Sequence, residues 1–433
     1  MEVLLRLDTK IRNYMLILFA AGLLFWSSIG ALLSTLPLYI EDLGGSKQQV
    51  GIVMASFAVG LLIFRPQLGE LADRRSRKIV LIIGASVAAI APLGYQIFTS
   101  IPGLIALRAF HGISIAAFTT AYAALVSDIA PAENRGEVLG YMTLTGATGL
   151  ALGPAIGTYI QENASYTLLF NTTAILGLLS LLFVLPIENF PVSQDLSEDN
   201  GAESIWQIYK SPRVRVPALT MLLIGLAVGT LNTFIPLFIK SIHVNFDCGL
   251  FYTIAAVSSL VSRFFTSSGS DRIGRGIFVT LGLIAYTLSM LLLWQANNDF
   301  SFVMSAILEG AGGGTFLSTM DVVIADRSLP QERGRIFALC VVGFDLGIAI
   351  AGPLGGSIAE QVGYHNMFGI AGALTFSGVI IFLTLSSKTL INSLQFAIGR
   401  GDDDFAYRDV QKAPLFDPQE NYPVLSTTGI AAE

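Results

Sequence analysis

Apolar residues in this chain gather into long runs with few interruptions, not into the short spaced stripes of a water-soluble core. Twelve such runs of about 20 residues can be marked. They lie near 13–38, 49–68, 79–98, 101–125, 137–160 and 166–186, then near 216–239, 248–268, 277–295, 300–323, 336–359 and 364–386. A helix rising about 1.5 Å per residue crosses a hydrocarbon layer of about 30 Å in that length. The pattern therefore predicts an all-α membrane protein with twelve transmembrane helices. The first run is long enough to span and is followed by no small-residue cleavage site, so it is expected to stay as a span and not to be removed as a signal.

The polar residues between the runs repeat. Asp73 and Asp271 are 198 positions apart, and the same offset joins Arg65 to Arg263, Arg77 to Arg275 and Asp128 to Asp326. An offset of 199 joins Pro37 to Pro236 and Gly153-Pro154 to Gly352-Pro353. One shift thus superimposes the two halves, which predicts two pseudo-symmetric six-helix bundles, the arrangement of transporters with a site between the halves. The expected division is an N-terminal bundle over 1–187, a cytoplasmic linker over 188–215, a C-terminal bundle over 216–386 and a tail over 387–433. Within the linker, SIWQIYK is expected as a short helix, either on the membrane surface or packed on the bundle. The tail is polar and acidic and is expected to be disordered.

Composition and charge narrow this further. With 53% hydrophobic and 13% charged residues and a mean hydropathy of +0.66, the chain is fitted to a bilayer. The net charge is −6, and short basic clusters beside the spans are no footprint for nucleic acid. Arg6, Lys10, Arg12, the Arg74 to Lys78 cluster, Arg135, Lys210, Arg213, Arg215, Arg272, Arg275, Arg327, Arg333 and Arg335 fall on one side, and Lys47 and Lys240 on the other. That asymmetry places both termini and the linker in the cytoplasm, with the protein in the cell (inner) membrane. Cys248 and Cys340 lie in or beside apolar stretches without metal-ligand spacing and are read as packing residues; no metal or other cofactor is expected. Neither GxxxxGK[ST] nor HExxH nor GxSxG occurs, so an ATP-driven pump or an enzyme has no support.

GELADRRSRK after the second run, with its weaker echo SGSDRIGRG after the eighth, resembles the signature loop of the major facilitator superfamily, over about residues 13–386. The resemblance implies that Gly69, Asp73 and Arg77, with Asp271 and Arg275 in the echo, latch the cytoplasmic ends of the bundles together in the outward-facing state, Asp128 pairing with Arg77. The alternative is that the basic residues only fix orientation, which suits Arg74, Arg75 and Lys78. Ser76 stands where the family loop usually has glycine. In the fifth run, Gly146, Gly149, Gly153, Pro154 and Gly157 share one helix face and permit close approach of another helix. That face resembles the antiporter motif of the drug and metabolite exporters of the superfamily; IAGPLGG in the eleventh run shows that part of it comes from the duplication.

Ionisable residues inside the runs are costly and need a reason. Arg108 and His111 share a face of the fourth run; Arg108 matches the arginine of the family's fourth-span motif, RxxxGxxxA. Glu309 is 198 positions from His111, and Asp345 lies close to mid-membrane in the eleventh run. A carboxylate so far from water is suited to carry a proton. Glu309 and Asp345 are the foremost proton-coupling candidates, with Arg108 and His111 beside them. Structural pairing is the alternative for each, including a Glu309–Arg108 bridge. Arg65 and Arg263 are expected to snorkel to the cytoplasmic interface. By resemblance, spans one, four, seven and ten face the cavity, offering Trp26, Phe118, Tyr122, Asn232 and Phe316 to a small amphipathic organic molecule. The expected function is proton-coupled export of a drug or metabolite, siderophore-like molecules included, by a protein working as a monomer. A proton-coupled importer and a non-transporting scaffold or sensor are the alternatives.

Overall fold

The computed structural model describes residues 8–131, 134–189, 211–329 and 332–407, the side chains of residues 267, 268, 271 and 333 excepted. The linker segment expected as a helix and the tail beyond residue 407 lie outside the described residues.

Twelve helices follow in chain order. They are α1 (Thr9–Asp42), α2 (Lys47–Arg74), α3 (Arg77–Ile97), α4 (Ile101–Ile129), α5 (Arg135–Asn163), α6 (Tyr166–Val184), α7 (Pro212–Ser241), α8 (Cys248–Ile273), α9 (Arg275–Trp294), α10 (Asp299–Asp326), α11 (Arg333–Leu385) and α12 (Leu390–Ala397). Ten of them are long and apolar enough to cross a membrane. One of the ten, α11, leaves helical geometry at Gly363 (φ 82°, a value glycine adopts without strain) and turns back to give two spans. α5, diluted by glycines and threonines, supplies the twelfth. α1–α6 form one bundle and α7–α11 the other.

Helix starts follow from the sequence. On the face away from the basic loops, called here the far face, Ser46, Ser100, Ser165, Asp247 and Asn298 each accept a bond from a backbone N–H of the helix they open. Each such cap is worth about 1 kcal/mol.

The duplication is also written in the packing. A methyl group at Gly112 would strike the Phe57 carbonyl of α2, and one at Gly310 would strike the Ala255 carbonyl of α8. Gly84 meets the backbone of Phe118, and Gly282 that of Phe316. Each contact maps onto its mate by the offset of 198. Small residues thus let backbones touch where lipid supplies no hydrophobic drive for helix association. The same device joins the bundles near the far face, where Gly51 meets Gly352 and Gly249 meets Pro154 and Ala155.

Composition misjudges the start of the tail. The stretch from Ser387, expected to be disordered, forms α12 and a strap that docks on the basic face of the C-terminal bundle. Thr280 donates to the Ala397 carbonyl at 2.9 Å, and the Tyr407 amide donates to the Asp326 carbonyl at 2.9 Å. The cause is Arg327, whose side chain is fully buried and needs an anion. Its Nε donates to Asp403 at 2.7 Å, its Nη2 to the Ser386 carbonyl at 2.7 Å, and Phe396 and Phe405 lie 5.7 and 5.2 Å from its guanidinium. Asp404 accepts from Ser387 and Asn392, and these bonds hold its carboxyl below the usual range. Asp403→Ala should therefore lower stability by about 3 kcal/mol, the cost of stranding a buried charge, as read by thermal unfolding in detergent. Asp404→Ala should cost less; equal, small effects would remove the strap from the fold's supports.

Candidate functional site

Three clusters of polar groups at mid-depth stand out among the described residues, each placed by helix register. The first joins the bundles. Arg65 of α2 lies nine residues before the end of its helix and Asp345 of α11 twelve after its start, about 14 and 18 Å from the basic face at 1.5 Å per residue. Their side chains meet in an ion pair at 2.5 Å, and the two side chains are 26% and 10% exposed. Arg65, expected to snorkel to the interface, instead reaches across to the other bundle. Helical side chains tilt toward the N-terminus of their own helix, which for α2 points Arg65 inward from the basic face.

The second cluster lies inside the N-terminal bundle. His111 is fully buried and its Nδ1 is 3.1 Å from the Tyr95 hydroxyl. Arg108 Nη1 is 3.5 Å from the same nitrogen, and the guanidinium lies 4.3 Å from the centre of the Phe57 ring. An aromatic face and neutral hydrogen-bonding groups soften the charge without a carboxylate. The third cluster holds the equivalent position of the other bundle, where Glu309 is half-buried and accepts from Tyr286 at 3.4 Å. Arg108 and Glu309 are not brought together: α2 and α3 enclose the first and α9 binds the second. Tyr95 and Tyr286 escaped the sequence reading, since a tyrosine in an apolar run looks like any other large packing residue.

Two ion pairs flank the basic face. Arg77 pairs with Asp128 and donates to the Ala124 carbonyl at 2.9 Å. Arg275 pairs with Asp326 in the other half. Both pairs lie within a bundle. Asp73 is exposed, Gly69 is half-buried with room beside it, and the Asp271 side chain lies outside the description. Ser76, where glycine is usual, is extended and caps α3 by accepting from the Ile79 amide at 3.2 Å, whereas its counterpart Gly274 has φ 114°.

The glycine face of α5 is a packing surface. Methyl groups at Gly149, Gly153 and Gly157 would strike α1 between Trp26 and Ala31, and the Pro154 ring lies on Gly30. Aromatic residues proposed for the cavity mostly pack as well. Phe118 stacks on Phe25 with centroids 3.8 Å apart, and Tyr122 stacks on Phe118 while donating to the Leu18 carbonyl at 3.0 Å. Phe316 is fully buried against Gly282. The expected lining of a cavity by these three is not seen in this structure: α3 and the Phe25 ring of α1 cover Phe118 and Tyr122, and close α9–α10 packing covers Phe316. Trp26 and Asn232 are half-buried, the first beside Gly146 and Gly149.

The profile of the Major Facilitator Superfamily matches residues 18–279 and 249–397. The chain belongs to that superfamily. Among its curated relatives are the staphylopine export protein of Staphylococcus aureus, 27% identical over 85% of this chain and 94% of that protein. Another is the multidrug resistance protein MdtG of Salmonella paratyphi A, 28% identical over 82% and 91%. Solved structures of like fold include the nucleoside transporter NupG (TM-score 0.70, 17% identical, 86% of this chain and 99% of that one). The inward-open xylose transporter XylE of E. coli has a TM-score of 0.71 at 16% identity over 88% and 98%. As a member of the superfamily the protein is a multi-pass membrane transporter of a small molecule and not an enzyme.

The Arg65–Asp345 geometry makes a chemical prediction. The Arg65 guanidinium pairs with the ionised form of Asp345, so its loss removes the partner that competes with a proton for that carboxyl. Arg65→Gln should therefore raise carbodiimide modification of Asp345, which requires a protonated carboxyl, several-fold by mass spectrometry. Unchanged modification would mean that the pair does not govern the protonation of Asp345.

Proposed function

We propose that this protein exports a small amphipathic organic molecule across the cell membrane in exchange for protons, by alternating access. The observation that carries the reading is the Arg65–Asp345 ion pair, which bridges the bundles close to mid-membrane. A pair in that position responds to two variables at once. With Asp345 ionised it draws α2 and α11 together; a proton on Asp345 cancels that attraction and frees Arg65. Protonation and bundle closure are thereby linked, as exchange of a proton for a solute requires.

Orientation rests on the positive-inside asymmetry, which puts the basic face in the cytoplasm. On that reading the structure is inward-facing, because its far face is closed by the Gly51–Gly352 and Gly249–Pro154 contacts. The basic-face pairs Arg77–Asp128 and Arg275–Asp326 keep each loop attached to its own bundle in this state, leaving Asp73 and Gly69 to meet the other bundle when that face shuts. Glu309 and the Arg108–His111 pair stand as second candidates for handling the proton. Export as the direction is supported by the relatives, whose names denote staphylopine export and multidrug resistance. A siderophore-like or drug-like molecule fits that company, and a monomer contains every residue the cycle uses.

The test separates carrying a proton from pairing. Asp345→Asn should abolish flux driven by a pH gradient while substrate counterflow in proteoliposomes survives. Glu309→Gln should do the same if it shares the proton, and should depress both activities if its charge is structural. Normal gradient-driven flux in both variants would sink the carboxylate mechanism.

A further inference from the structure

The far face carries Lys47 and Lys240 as its two lysines, and each reaches across from its own bundle to the other. Lys240, ending α7, pairs with Glu41 at 2.9 Å and Asp42 at 2.8 Å, both ending α1. The Tyr166 hydroxyl of α6 donates to Asp42 at 2.7 Å and fixes that carboxylate in place. Lys47, opening α2, donates to the Ala359 carbonyl of α11 at 3.2 Å and lies 4.5 Å from the centre of the Tyr364 ring. One lysine from each bundle therefore grips the opposite bundle.

We propose that Lys47 and Lys240 are the outer gate of the transport cycle, positioning residues that hold the far face shut and must release for it to open. The placement fits a gate better than a fixed support. Lys240, Glu41 and Asp42 are 52%, 37% and 44% exposed in these pairs, and ion pairs so open to water are weak and break readily. The buried pairs of this chain, by contrast, lie within one bundle or at mid-depth. Beside the gate is a cavity of about 430 Å³ that both bundles line, with Asp42 and Tyr166 from one and Lys240, Asp247 and Cys248 from the other. The space is a cleft already open to the far side, and release of Lys240 would deepen it between the bundles. Cys248 sits at its base, 6% exposed, its Sγ 3.5 Å from the Thr158 hydroxyl of α5 and 3.8 Å from the Ser34 carbonyl of α1. Those neighbours belong to the other bundle, so opening the far face must uncover this thiol.

The inference rests on the alternating-access reading but not on its direction or coupling ion. The native thiols supply the test. In lipid nanodiscs, where both faces are open to reagent, maleimide should label Cys248 of the wild type slowly. Lys240→Gln should speed that labelling by about fivefold, the population shift that loss of a half-exposed ion pair produces. Lys47→Gln combined with it should speed labelling further, and Lys240→Arg should restore the slow rate. Cys340, fully buried within α11, reports unfolding and should stay unlabelled throughout. Unchanged Cys248 labelling in the double variant, or Cys340 labelling rising in step with it, would overturn the gate. Gate-dependent labelling in a protein that fails the flux tests would uphold the gate and count only against proton exchange.

Discussion

A charge held away from water has to be met by another charge, a hydrogen-bonding group or an aromatic face, and this requirement organises the molecule. Arg327 recruits Asp403 from the tail, Arg77 and Arg275 take Asp128 and Asp326, and Arg108 rests on Phe57 beside His111. Such pairs add little net stability over apolar packing, yet losing one partner is expensive. Their value here is positional. Those within a bundle fasten its parts, whereas Arg65–Asp345 joins one bundle to the other.

The repeated glycine contacts give the same division of labour in the backbone. Inside each bundle they bring α2 against α4 and α8 against α10, so tightly that no side chain fits between. Interiors packed in this way do not deform continuously; they move as bodies. Between the bundles the contacts gather toward the far face, where Gly51 and Gly249 touch the other half. Two rigid halves that touch mainly near one end suit the rocking that the proposed cycle requires.

The spans and the duplication were legible because each is written in the spacing of residues along the chain. Residues 198 apart share an environment, and the structure gives the offset a meaning in contacts such as Gly112–Phe57 and Gly310–Ala255. What the sequence hides is the facing of a side chain once all sides of a helix are apolar. Phe118 and Tyr122 fall on one face of α4, but only the positions of α1 and α3 decide that this face is packed. Arg65 near the end of an apolar run reads as an interfacial residue until a carboxylate on another helix is seen within reach. The strap shows the limit of composition: a polar acidic segment resembles a disordered tail, and its order comes from a buried arginine about seventy-six residues earlier in the chain.

The account turns on Asp345 choosing between a proton and Arg65, and the separation of the bundles reports that choice most directly. Spin labels at Arg75→Cys and Phe337→Cys, both exposed near the basic face on opposite bundles, would measure it with Cys248 and Cys340 replaced by serine. The inter-label distance distribution should shift between high and low pH when Asp345 is present. With Asp345→Asn it should stay in the low-pH form at every pH. A variant that keeps the full pH response would contradict the account, because the proton would then be acting elsewhere.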